Sequence, residues 1–268
     1  MRRGNDKEKA RQVVHHLGTN SIPLLLDWLK MPDRPSPGGR AEQIKFGVIS
    51  WLERHRILKP RSQLWKMDWK GSYRSLAQSA FEELGADGQS AIPRLVDMLA
   101  IGSDNTNQIN ETASAASLTL SRMAPYSIPA LIKVAGSTND FVYALAAMAL
   151  GLIGPDAKAA IPAIQKRFKD PRPEVRIGAA EIVSKLGGEP SQFMPIVIDA
   201  MREIDLTNLG WGTELLRDHK QEAKSAIPIL KERLSRIPAS TTNLNEIAAS
   251  DVLKGLLHEL TSRQDRSR

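Results

Sequence analysis

The sequence predicts an all-α solenoid of about six helical pairs, and three observations carry that expectation. First, a dipeptide recurs at a near-fixed interval: Ile22-Pro23, Ile92-Pro93, Ile128-Pro129, Ile161-Pro162 and Ile227-Pro228, with Met194-Pro195 in the same register. From Pro93 onward the prolines are spaced 36, 33, 33 and 33 residues apart, a period typical of stacked two-helix repeats. Second, apolar residues between the prolines fall at helical spacing. Third, the chain is 41% hydrophobic but only 5% aromatic and has no cysteine. Its core must therefore come from Ala, Leu, Ile and Val, which suits closely packed helices.

Taken in order, residues 1–20 are expected to hold an N-terminal helix near Lys7 to Leu17. Residues 21–85 form a first unit carrying an insert at 31–72. Residues 86–240 form the regular units, 241–260 hold a capping helix from Leu244 to Leu260, and 261–268 form a charged, frayed tail. The clearest unit runs from Gly154 to Gly187. Its first helix places Ile161, Ile164 and Phe168 on one face, and Pro162 fits near the start, where a missing N–H leaves no bond unmade. Asp170-Pro171-Arg172-Pro173 ends that helix. A second helix follows with Val175, Ala179, Ile182 and Leu186 on one stripe, and Gly187 suits the left-handed position that closes it. The second helices are expected at Tyr73 to Leu84, Thr112 to Met123 and Phe141 to Gly154. Small residues such as Ala146, Ala149, Ala179 and Ala180 let adjacent layers approach, and neither helix of a pair can bury its stripe alone.

Three departures interrupt the rhythm. About 37 residues separate the two halves of the first unit beyond the usual spacing. This insert opens with a Pro- and Gly-rich stretch, Met31 to Gly39. It continues as a helix from Ala41 to His55, with Ile44, Val48, Trp51 and Leu52 on one face, and then carries a basic, Trp-bearing segment. Arg54, Arg56, Lys59, Arg61, Trp65, Lys66, Trp69, Lys70 and Arg74 belong to it. Two readings stand. These residues form a projecting surface, with cations for phosphates or carboxylates and Trp for stacking or anchoring; or the tryptophans pack the insert down and the cations are solvated. The second unit has a longer loop at Gly102 to Asn107, expected to be a tolerated extension. In the fifth, Leu209-Gly210-Trp211-Gly212 replaces the small-residue stretch, with Trp211 where Gly178 stands one period earlier. The flanking glycines weaken that helix, and the ring either fills a packing gap or stands in the groove.

Charge is uneven. The net charge of +7 divides into +9 over residues 1–74 and −2 over the rest, an asymmetry that suits an anionic partner. The start of the chain is charged without a following apolar stretch, so no signal peptide is expected. The longest apolar run, about Phe141 to Gly154, is short for a membrane span. A cytoplasmic protein is expected, with monomer as the favoured state. Without cysteine there are no disulfides and no thiolate chemistry. No phosphate-cradling glycine loop, H-E-x-x-H or G-x-S-x-G motif occurs. The histidines at 15, 16, 55, 219 and 258 form no metal-ligand spacing, and no cofactor or metal site is expected.

The pattern resembles the HEAT-repeat family, in particular the bacterial HEAT-like repeats also found in phycobilisome lyases. The resemblance rests on G-x-D/E-A-x-x-A-I-P at Gly154 to Pro162, on D-x-x-P-x-V-R-x-x-A-A-x-x-V-x-x-L-G at Asp170 to Gly187, and on a further match at Gly85 to Pro93. It spans roughly residues 13 to 260. It implies a right-handed superhelix with first helices on the convex side and second helices on the concave side. The function expected is a non-enzymatic scaffold for a protein partner, with the row of second helices (candidates Arg122, Asn139, Tyr143, Arg176 and Trp211) and the insert as its surfaces. The alternative is nucleic-acid or polyanion binding through residues 40–74. HEAT-like DNA glycosylases and bilin lyases share the repeat type, but their catalytic residues do not align here and no chromophore-specific motif is found.

Overall fold

A computed structural model of the chain describes residues 14, 17–31, 73–101 and 111–262. The expected N-terminal helix lies almost wholly outside these, as do the insert beyond Met31, the loop at 102–107 and the last six residues. All regular structure among the described residues is helical. The chain groups into two compact units, 1–149 and 150–268, with the division falling inside one helix.

In the first unit, α1 (Ile22–Leu29) packs on α2 (Tyr73–Leu84), α2 on α4 (Glu111–Arg122), and α3 (Ile92–Leu99) on α4. α5 (Ile128–Val134) follows α4, and α6 (Asp140–Ile153) follows α5. The interior is aliphatic, as the composition requires: Leu25, Leu29, Leu95, Leu99, Leu120 and Leu131 are fully buried, with Phe81 among them. Alanines fill the second helices, with Ala77, Ala113 and Ala116 wholly covered. A buried hydroxyl stitches two second helices, Ser117 Oγ donating to the Leu145 carbonyl at 2.7 Å. The stretch 140–169 is long and apolar enough by composition to cross a membrane. In the fold its first part is core: Leu145, Ala146, Ala149 and Leu150 are buried, and α6 stops at Ile153, where Gly154 takes φ +76°.

The second unit contains α7 (Ile161–Ile164), α8 (Pro173–Lys185), α9 (Pro190–Glu203), α10 (Leu209–Asp218), α11 (Ile227–Ser235) and α12 (Leu244–Thr261). Consecutive helices pack, α8 on α9, α9 on α10, α11 on α12, and the second helices α8, α10 and α12 pack in series. Ile164, Ile177, Phe193, Met201, Leu216, Leu230, Leu253 and Leu256 are fully covered.

The Ile-Pro pairs do open helices. In α1, α3, α5, α7 and α11 the proline occupies the first turn. Four of these helices are preceded by a 3-10 segment, at Gly18–Ser21, Gly85–Ala91, Gly154–Ala160 and Glu222–Ala226. Three of the segments begin at a glycine of positive φ, the left-handed turn that ends the preceding helix and that a side chain would strain.

Two expectations change. The helix opened by Pro162 keeps α geometry only to Ile164 and tightens to 3-10 over Gln165–Lys169. Ile161 and Ile164 are buried as expected, whereas Phe168 is half-exposed. The tightening leads directly into the extended residue Asp170, which accepts hydrogen bonds from the Arg172 N–H at 3.0 Å and Arg172 Nε at 2.9 Å. The fifth unit does not start at Pro195. α9 begins five residues earlier, where Gln192 Oε1 accepts from the Glu189 N–H at 3.1 Å, so Pro195 sits inside the helix. A proline there removes the bond to the carbonyl four residues back. Ser191 and Pro195 are both exposed, so water can serve that carbonyl.

Candidate binding surface on the second helices

α10 shows how the sequence places an indole in solvent. Its inner face is Leu209, Gly212, Thr213, Leu215 and Leu216, all buried. A Cβ added at Gly212 would lie 2.3 Å from Met201 Sδ and 3.3 Å from Ile177 Cδ1. Glycine there lets α10 lie closely against α8 and α9, which fixes the helix's rotation and turns Trp211 outward. Gly210 meets open space, so the two glycines have different reasons. Helix periodicity then puts Glu214 and Asp218 on the same outward stripe as Trp211.

This stripe repeats with the chain's period. Positions 178, 211 and 244 are equivalent, as are 181, 214 and 247, and 152, 185, 218 and 251. The exposed large apolar side chains of the second unit all fall on it: Leu152 (58% exposed), Trp211 (59%), Leu244 (80%) and Ile247 (39%). Carboxylates occupy much of the remainder: Glu181, Glu214, Asp218 and Asp251. Glu181 pairs with Lys185 at 2.6 Å. Arg217 and Lys220, at the end of α10, both reach Glu259 of α12, at 3.1 and 3.7 Å. His219 anchors the same end, with Nε2 3.0 Å from Ser184 Oγ and its ring edge-on to Phe193 at 5.1 Å between centroids.

The residues expected to meet a partner are not brought together as a set. Trp211 is exposed rather than filling a gap. Arg122 is exposed on the first unit, 3.7 Å from Glu82. Asn139 caps α6, its Oδ1 accepting from the Phe141 and Val142 N–H groups at 3.0 and 3.2 Å. Tyr143 and Arg176 require correction, because both are buried. Arg176 works inside the fold: Nη1 donates to the Asp170 and Pro171 carbonyls at 3.0 and 3.1 Å, and Nη2 to Glu203 at 2.9 Å. The loop between paired helices leaves carbonyls that only a long donor can reach. Arg74, grouped above with the insert's cations, does the same in the first unit. It is buried, donating from Nε to the Leu29 carbonyl at 3.2 Å and from Nη1 to Glu111 at 2.6 Å. Arg54, Arg56, Arg61, Trp65, Lys66, Trp69 and Lys70 lie outside the described residues.

Leu244, Ile247, Glu214 and Asp218 were missed by reading each helix alone. The period would have found them, since one step on from Trp211 lands on Leu244.

Asp170 is strongly perturbed by its neighbours. Hydrogen bonding from the Arg172 side chain holds its carboxyl well below the usual carboxylate range, aided by the Arg172 N–H and by Arg167 and opposed by burial. This is a structural clasp between α7 and α8. An open groove of about 510 Å³ lies on the first-helix side, between α9 and the 3-10 segment at Glu222–Ala226, walled by Pro190, Met194, Pro195 and Ile198. Among the described residues, no group of three His, Asp or Glu side chains stands close enough to hold a metal ion.

Residues 128–205 match the family model for HEAT repeats. No curated protein matches the sequence.

Proposed function

We propose, from the match of residues 128–205 to HEAT repeats, that the chain is a non-enzymatic HEAT-repeat interaction scaffold that holds a protein partner. The carrying observation is that the exposed large apolar side chains of the second unit lie along one stripe of the second helices. Scattered apolar side chains need no explanation, whereas a repeated exposed row suits a docking face. The scaffold works as a cytoplasmic monomer without a cofactor.

A photoreactive residue in place of Lys185, on this stripe, tests the reading in the native host. The expected result is a discrete cross-linked protein that is absent when the same residue replaces Lys158. Equal yields at both positions, or none at either, would sink the scaffold reading.

The +9 charge of residues 1–74 favours a second reading, polyanion binding through residues 40–74. Arg74 is withdrawn from that surface by its bond to Glu111. The polyanion reading expects DNA or RNA binding that falls steeply with salt and is lost in Lys66→Glu/Lys70→Glu. Absence of binding at low salt removes it.

A further inference from the structure

The chemistry of the stripe narrows what the second unit would hold. Trp211 presents an exposed ring with Glu214 one turn along the same face. An indole face attracts a cation through its quadrupole, and a carboxylate beside it pairs with the same cation. Both groups therefore select guanidinium or ammonium, and both disfavour an acidic group.

The surroundings extend that selection. One period before Trp211 stands Gly178, where an added Cβ would meet nothing within 4 Å. The surface at that level of α8 is open backbone. One period after stands Leu244, with Ile247 a turn beyond, so apolar area continues onto α12. The cations that could neutralise the stripe are engaged: Lys185 with Glu181, and Arg217 and Lys220 with Glu259. Among the described residues, Glu214, Asp218 and Asp251 have no ion pair, against Lys254 as the exposed cation on the same stripe without one.

We infer that the outward face of α10 and α12 docks a partner segment carrying Arg or Lys beside apolar side chains. Trp211 and Glu214 take the cation, Asp218 and Asp251 hold the flanking field, and Leu244 and Ile247 cover the apolar neighbours. The inference rests on the scaffold reading and adds the partner's chemistry. Burying the ring and the two aliphatic side chains supplies affinity, and the carboxylates supply orientation and partner choice.

Selection of random peptides displayed on phage, against the immobilised full chain, tests it. The recovered peptides are expected to be enriched in Arg or Lys together with apolar residues. Their binding, read by fluorescence polarisation with labelled synthetic copies, is expected to weaken as salt rises. It should fall about tenfold or more in Trp211→Ala, and comparably in Glu214→Lys/Asp218→Lys. All three positions are exposed, and unchanged melting curves verify that the variants fold; should one fail to fold, the other carries the test. Peptides without basic enrichment, peptides indifferent to the variants, or no recovered peptides overturn the inference. The cross-linking experiment separates this failure from that of the scaffold reading. A partner captured at position 185 through an acidic or neutral segment overturns the basic-peptide assignment and leaves the scaffold standing.

Discussion

Gly212 shows how much one missing methyl group can decide. With Met201 Sδ 2.3 Å from where its Cβ would stand, Gly212→Ala is expected to destabilise the protein by about 1–3 kcal/mol through overpacking. Urea unfolding measures this, and a cycle with Met201→Ala should show part of the cost relieved. Arg176 acts in the opposite way, by filling a need. Arg176→Met leaves the Asp170 and Pro171 carbonyls without their donor and should cost about 1–3 kcal/mol. Glu203→Gln should cost less, since that side chain is half in water. Asp170 ties stability to acid. Its folded carboxyl titrates below the ordinary value, so its contribution is complete above about pH 4 and is lost as pH falls through the lowered folded value. Acid unfolding of Asp170→Asn should lack this component of the pH dependence. Neither Gly212 nor Arg176 could be read from local pattern. Gly212 is needed because of Met201, eleven positions earlier, and Arg176 stands beside the apolar stripe as a surface cation would. Only the tertiary arrangement shows that the glycine admits a neighbour and that the arginine bonds inward.

Helices were the most legible level, because their start is written in a residue that cannot sit elsewhere. Pro162 falls in the first turn of α7, so Pro162→Ala should shift stability by less than about 1 kcal/mol, whereas Ala179→Pro within α8 should cost about 3 kcal/mol or more. Thermal unfolding of the two variants reads the contrast. The spacing of the Ile-Pro pairs predicts another start at Met194-Pro195, but Gln192 folds back onto Glu189 and begins α9 upstream. A side chain returning to the backbone outweighs the proline's preference, and the exposure of Ser191 and Pro195 lets it do so. The 3-10 segments before the Ile-Pro helices were also unread. Their residues, such as Ala157 and Ala226, look like ordinary helix and are buried as if they were. A left-handed glycine opens three of the four segments, and Glu222–Ala226 tightens without one.

At the scale of the molecule, a chain whose layers touch mainly their neighbours has stability close to a sum over layers and junctions. Damage to one junction should therefore stay local. Hydrogen exchange of Arg176→Met is expected to show faster opening in α8 and the loop before it, with α12 amides little changed; uniform acceleration would contradict this. The period also explains why the exposed apolar stripe is half visible in the sequence. One odd tryptophan shows it, and Leu244 and Ile247 join it only when equivalent positions are aligned between α10 and α12. The arginine hooks carry one more implication. Arg74 of α2 reaches forward to Glu111, and Arg176 of α8 reaches forward to Glu203. These two layers are thus completed by the layer that follows them in the chain, whereas Arg233 of α11 reaches back to the Arg202 and Ile204 carbonyls. At the two hooks the joinery is vectorial. Cutting away layers after α8 strips a counter-charge from a buried guanidinium, while cutting away those before it does not. Loss from the two ends is therefore unequal, and growth by duplication would proceed most easily where an acid already waits for the next hook.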